Sequence, residues 1–255
     1  MNFRPYSILL VFLVLFACKN NAHITSSPSE INGKRFPIDN TISPDPEIED
    51  FIRPYSNHLN ATLDSTLAYN PRNLNKSDGK LNTAIGNMMA DLVMAQANPI
   101  FKSRTGFEID MVLLNHGGIR SGIGEGAVTT RTGFKLMPFE NEIVVAELSG
   151  KKMLELLNYL ENAKIAHPIS GLELKVDGNF KTISALIREE PINTEKTYFV
   201  ATSDYLQQGG DSMNFFKNPS NLYKLDYKLR NAIIDHFKKV DTLKTSIDNR
   251  YIQIL

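Results

Sequence analysis

The run Met111-Val112-Leu113-Leu114-Asn115-His116-Gly117-Gly118-Ile119-Arg120 constrains the fold more than any other stretch. Four apolar residues follow Ile109 and Asp110, and a polar Asn115 with two glycines closes them. So short an apolar run, ended by a turn signal, reads as a buried strand, which commits the rest of the chain to covering it. Two consecutive glycines remove both Cβ atoms, so a ligand can approach the backbone closely and positive φ is open to the chain. Arg120 then offers a planar fork suited to phosphate or carboxylate. A buried strand ending in a glycine turn beside one cation is a candidate anion site. The same pattern also fits a plain tight turn followed by a solvated arginine.

The chain has 255 residues and is 42% apolar, enough for a sizeable core, so one folded domain is the default. Lys+Arg and Asp+Glu number 28 each. With no net charge there is no global field to draw a nucleic acid polymer, whereas a small anion needs only a local cation. The one cysteine, Cys18, excludes an internal disulfide and a cysteine-based zinc site. The five histidines are scattered, and none forms a short His/Asp pair with metal-ligand spacing.

Arg4 followed by the apolar core Ile8 to Phe16 is too short to span a membrane and reads as a targeting signal. Leu15-Phe16-Ala17-Cys18 resembles a bacterial lipoprotein box. It implies a lipoprotein signal peptide over residues 1–17 and lipidation of Cys18, tethering the chain without spanning the bilayer. An ordinary signal peptide with a coincidental cysteine is the alternative. Residues 18–43, rich in Ser, Asn, Pro and charge, read as a flexible tether, and residues 44–255 as the folded domain.

Pro44-Asp45-Pro46-Glu47 looks like a helix start, with Ile48, Phe51, Ile52, Tyr55 and Leu59 at helical spacing behind it. Leu81 to Ala97 is the clearest helix, capped at Asn82 or Thr83 and expected to end at Pro99. Thr129 to Met137 and Lys151 to Asn162 are further helices. Strands are expected at Ser65–Tyr69, Ile143–Leu148, Ile169–Val176 and Thr197–Thr202, with a hairpin at Asp177-Gly178-Asn179 leading into Phe180–Ile187. Tyr227 to Val240 reads as a closing helix and Arg250 to Ile254 as a last strand. A second glycine pair, Gly209-Gly210-Asp211, follows the Thr197 strand and Tyr205. Helices alternating with strands, one hairpin among them, indicate an α+β fold with mixed β-sheet layers and flanking helices.

Four stretches then line up: Ile85-Gly86-Asn87, Asn115 to Arg120, Pro138-Phe139-Glu140-Asn141, and Gly209-Gly210-Asp211. In order and spacing they resemble the C-terminal, substrate-binding domain of the 5'-nucleotidase family, over roughly Ser65 to Asn218. The resemblance implies that Asn115 and Arg120, on the Gly117-Gly118 turn, face a nucleotide, with Arg120 near its phosphate. It implies that Phe139 and Tyr205 clamp the base, Asp211 binds the ribose and Asn141 contacts the base. The chemistry suits those roles: stacking on aromatics contributes ~1–3 kcal/mol per base, and carboxylate and guanidinium bind diol and phosphate. Where the family usually has Phe, this chain has Tyr205. Where the family has a phosphate-facing Arg ahead of the Gly-Asn helix, this chain has Lys80 as the only substitute. Ser212-Met213 replaces the usual Gly plus aromatic.

In that family, catalysis belongs to an N-terminal metallophosphatase domain with two divalent metal ions, held by Asp-x-His, Gly-Asp, Gly-Asn-His and Gly-His-x-His motifs. None of the histidine-bearing ones occurs here. No catalytic or metal-binding residue is therefore assigned to this chain, and whether it is an enzyme stays open. His116 reads as a solvated turn histidine. The leading expectation is the nucleotide-recognition half of a 5'-nucleotidase-like phosphohydrolase of nucleotide catabolism, completed by a separate metallophosphatase chain. It would be lipid-anchored in a bacterial cell envelope, facing the periplasm or the cell surface. The alternatives are a non-catalytic surface lipoprotein that binds nucleosides or nucleotides, and a scaffold whose pocket has decayed.

Overall fold

The structure, a computed structural model, describes residues 32–254. The expected signal peptide, Cys18 and the first part of the expected tether lie outside the described residues. The chain divides between Glu49 and Asp50 into two units. In the first, the described residues are exposed and contain no strand. It ends in the first turn of α1 (Pro46–Leu63), where the Asp45 carboxylate accepts the Glu47 amide at 2.9 Å. Glu47 and Glu49 complement the positive end of that helix.

In the second unit, Phe51, Ile52, Tyr55 and Leu59 form the apolar stripe expected of α1, and all four are exposed. β1 (Thr66–Asn70) follows, then α2 (Ala84–Thr105). Thr83 caps α2 by accepting the Gly86 amide. The helix does not stop at Pro99 as its sequence suggests. Pro99 lies on the exposed face, where the carbonyl it leaves unpaired can turn to water, and fully buried Phe101 draws the next turn onto the core. Gly106, at φ +81°, ends it instead.

β2 (Met111–Leu113), β3 (Gly126–Thr129), α3 (Thr130–Leu136), β4 (Glu142–Ser149) and α4 (Gly150–Ala163) come next. Then follow β5 (Ile169–Ser170), β6 (Leu172–Val176), β7 (Thr182–Ile187), β8 (Glu190–Pro191), β9 (Thr197–Ser203) and the single turn α5 (Asp204–Gln207). β10 (Leu222–Lys228), α6 (Leu229–Lys239) and β11 (Tyr251–Gln253) complete the fold. A five-stranded sheet runs β10-β4-β9-β2-β5, with only β2 and β9 parallel. A four-stranded sheet runs β11-β6-β7-β8, and β1 pairs with β3. This is a mixed α+β architecture.

The expected strand Ile169–Val176 is two strands. Gly171, at φ +80°, passes the chain from β5 in the first sheet to β6 in the second. The closing helix begins two residues later than Tyr227, because Leu222–Lys228 pairs with β4 instead. Side chains of the central strands alternate between two cores. Val112, Val145 and Ala201 join α2 and α6 in one. Met111, Leu113, Leu148 and Val200 join α4 and the four-stranded sheet in the other. Among the described residues no helix is long and apolar enough to cross a membrane.

Candidate functional site

Parallel strands β2 and β9 end side by side, and antiparallel β4 begins at the same rim. The crevice beyond the carboxyl ends of parallel strands is where open sheets leave room for ligands. Here it holds a cavity of about 280 Å³, near the small end of the roughly 300–1,000 Å³ typical of ligand pockets. Its wall is built from three loops. Asn115, Gly117, Gly118 and Arg120 come from the turn after β2. Phe139 and Asn141 come from the loop before β4. Tyr205 and Asp211 follow β9. All eight residues that the resemblance assigned to the substrate site line this one cavity.

The glycine turn is a single 3₁₀ turn, His116–Gly118. Neither Gly117 nor Gly118 has a positive φ. Close approach is what requires them: a Cβ on Gly118 would lie 2.7 Å from the Asn115 Oδ1, and one on Gly117 would lie 3.3 Å from the Asp211 Oδ2. That tight turn lets the Asn115 amide donate to the Asp211 Oδ2 at 2.7 Å. The Tyr205 hydroxyl donates to the Asp211 Oδ1 at 3.0 Å. A carboxylate has about four lone-pair sites, so Asp211 retains capacity for a diol.

Arg120 is exposed, with its guanidinium 5.7 Å from the Phe139 ring centroid. Among the described residues no carboxylate pairs with it. Phe139 and Tyr205 are 40% and 46% exposed, large for aromatics with no ring partner among the described residues. The Phe139 loop is nevertheless held from behind. Buried Arg230 on α6 donates to the carbonyl oxygens of Pro138 (3.3 Å) and Phe139 (3.5 Å) and pairs with Glu140. Hydrogen bonds from Lys228 and then Arg230 hold the Glu140 carboxyl down at about 2.

His116 is half-buried and not simply solvated. Its Nδ1 lies 3.1 Å from the Ala166 carbonyl, and its amide donates to the Nδ1 of buried His167 at 3.2 Å. Burial, helped by neighbouring His116, pushes His167 down to about 4, so the ring is neutral and able to accept. Tyr159 on α4 donates its hydroxyl to the Asp211 carbonyl at 3.0 Å. Neither Tyr159 nor His167 was marked by any spacing in the sequence.

Two of the sequence candidates are elsewhere. Asn87 is buried and bonds to Asn82 and the Ser246 carbonyl, a structural role. Lys80 bonds to Gln253 and stands over the Phe180 ring at 5.0 Å, so it does not replace the missing arginine in the cavity wall. A larger groove of about 690 Å³ runs along β6, and five of its charged side chains pair with one another. Arg250 binds Asp91 and Asp248, and Arg188 binds Asp110. Among the described residues no group of three or more His, Cys, Asp or Glu side chains could hold a metal ion.

Comparison with known proteins bears on the family and the fold. Residues 61–218 match the model of the family described as "5'-nucleotidase, C-terminal domain". The chain is 30% identical over 221 residues to the trifunctional nucleotide phosphoesterase protein YfkN of Bacillus subtilis, covering 80% of this chain and 15% of YfkN. It is 30% identical over 167 residues to the cell wall protein Lmo0130 of Listeria monocytogenes, covering 60% of this chain and 21% of that protein. The chain thus spans about a fifth or less of the length of these relatives. The 5'-nucleotidase precursor from Thermus thermophilus has the same fold over 81% of this chain and 43% of its own, with a TM-score of 0.67 at 20% identity.

Proposed function

This chain belongs to the 5'-nucleotidase C-terminal domain family, and from that premise we propose that its cavity binds a nucleoside monophosphate or its nucleoside. In this reading, Phe139 and Tyr205 stack on the base and Asn141 hydrogen-bonds its edge. Asp211 accepts the ribose hydroxyls, and Arg120, with Asn115 beside it, meets the phosphate. One observation carries the reading: the Arg120 guanidinium, which among the described residues has no carboxylate partner and only a long 3.5 Å bond to the Gly117 carbonyl, shares a small cavity with two exposed rings and a pre-bonded carboxylate.

Titration calorimetry with AMP and adenosine tests it. Both bind the wild-type protein. Arg120→Ala weakens AMP by about ten- to a hundredfold, the scale of a hydrogen bond to a charged group, and leaves adenosine within about twofold. Equal loss for both ligands removes Arg120 from the phosphate, and no binding of either defeats the reading.

The hydrolytic step belongs, in the same proposal, to a metallophosphatase outside this sequence. A metal pair supplies the charge stabilisation that phosphate-ester hydrolysis needs, and the sequence carries none of the family's histidine-bearing metal motifs. A matching partner mixed with this chain gains metal-dependent phosphate release from AMP; no complex and no gain argue for a binding protein without chemistry. Lipid anchoring through Cys18 in a bacterial cell envelope completes the proposal, in keeping with likeness to a cell wall protein. Retention of Cys18→Ser in the membrane fraction would remove the anchor.

A further inference from the structure

Asp211 is held in an unusual conformation. It has φ +50° and ψ +29°, and Ser212 after it has φ +63°. The left-handed region is disfavoured for any residue with a Cβ, and two such residues in succession persist only where their surroundings hold them. The Asp211 carboxylate does not supply that hold from the protein interior. Its oxygens bond to Asn115 and Tyr205, both on the rim of the cavity. The backbone contact comes from behind, where the Tyr159 hydroxyl donates to the Asp211 carbonyl.

Tyr159 is well placed to act as a fixed post. It stands on α4, whose Leu156, Leu157 and Leu160 are buried in the second core. Its ring packs against the rings of His167 (5.4 Å between centroids) and Phe215 (5.5 Å). Burial and the charge of Asp211 push its phenol up, so it remains a proton donor. His167, touching it, accepts the His116 amide of the glycine turn. One pair of packed rings therefore braces both turns that meet at the Asn115–Asp211 hydrogen bond.

We propose that Tyr159 is a positioning residue for ribose recognition, holding the Asp211 backbone so that its carboxylate faces the cavity between Asn115 and Tyr205. The inference rests on the reading that the cavity takes a nucleoside. Tyr159 touches no ligand; it acts through Asp211. Its effect is therefore specific to ligands that carry the vicinal hydroxyls.

Tyr159→Phe keeps the ring and its packing and removes only the hydroxyl. Two measurements on the full chain decide the matter. Amide hydrogen exchange of the unliganded variant should quicken in residues 209–213 and stay unchanged in residues 115–118. Adenosine should bind about five- to tenfold more weakly, the scale of one neutral hydrogen bond, while 2',3'-dideoxyadenosine stays within about twofold of wild type. Equal weakening of both nucleosides, or unaltered exchange in residues 209–213, overturns the role of Tyr159 and leaves the nucleotide reading standing. Wild-type protein that binds neither nucleoside removes the nucleotide reading, and the ribose role with it.

Discussion

The cavity depends on residues small enough for other groups to touch their backbone. Gly210 is the sharpest case: a Cβ there would fall 2.4 Å from the Tyr205 Cε1 and 2.5 Å from its Cζ. The ring lies against the Gly210 backbone, and that contact places its hydroxyl at Asp211. Gly210→Ala must push the ring away. Because Tyr205 is exposed, the ring can move at little cost to the fold, so Tm should shift by no more than about 2–4 °C. Nucleoside affinity should fall by about tenfold, as stacking and the Tyr205–Asp211 hydrogen bond are lost together. Unchanged affinity by calorimetry would show that the Tyr205 ring takes no part in binding. The glycines were legible in the sequence, but for a different reason. Consecutive glycines suggest positive φ, and Gly117 and Gly118 do not adopt it; they are small because Asn115 and Asp211 crowd them. Tyr159 and His167 were not legible. Each meets a main-chain atom, 52 and 51 positions away respectively, and such contacts need only a donor or acceptor in the right place, not a recognisable neighbour.

At the level of elements, periodicity identified those whose burial pattern is one-sided and failed where two patterns overlap. Tyr223, Leu225 and Tyr227 alternate as a strand does, yet Tyr227 also continues the helical pattern of Leu229 to Phe237. Pairing with β4 decides the matter, and no local signal shows that pairing. This boundary has a consequence for the site. Because β10 ends at Lys228, both Lys228 and Arg230 reach Glu140, and Arg230 also binds the carbonyls of Pro138 and Phe139. Arg230→Met keeps much of the buried stem and removes all of these donors. Glu140 is exposed and keeps Lys228, so no buried charge is stranded. The loss of stability should be about 1 kcal/mol, while hydrogen exchange in residues 138–141 should rise and base affinity should fall. A large drop in Tm with unchanged exchange in that loop would instead assign Arg230 to the core.

For the molecule as a whole, the central sheet is covered on both faces, which is why Met111–Leu114 and Ile143–Ala146 are continuous apolar runs and not alternating ones. The second core meets the cavity through the bracing rings, so acid should act on the fold through His167. This ring is 5% exposed and faces His116, Tyr159 and the charge of Asp211. Its pKa falls from 6.5 to about 4 on folding. Between those values the unfolded chain binds a proton that the folded one does not. Stability is therefore complete above pH 6.5 and is lost as pH falls towards 4, by roughly 3 kcal/mol at about 1.4 kcal/mol per unit. His236, also lowered by burial, acts in the same direction, whereas Asp110, raised by burial, acts in the opposite one. His167→Asn separates these contributions, because its side-chain oxygen can still accept the His116 amide but does not titrate. The variant loses ring packing at every pH, so the slope of stability with pH is the readout, not its level. Urea unfolding between pH 7 and pH 4.5 should give a markedly shallower decline for His167→Asn than for wild type, and parallel declines would mean that folding leaves the proton affinity of His167 unchanged.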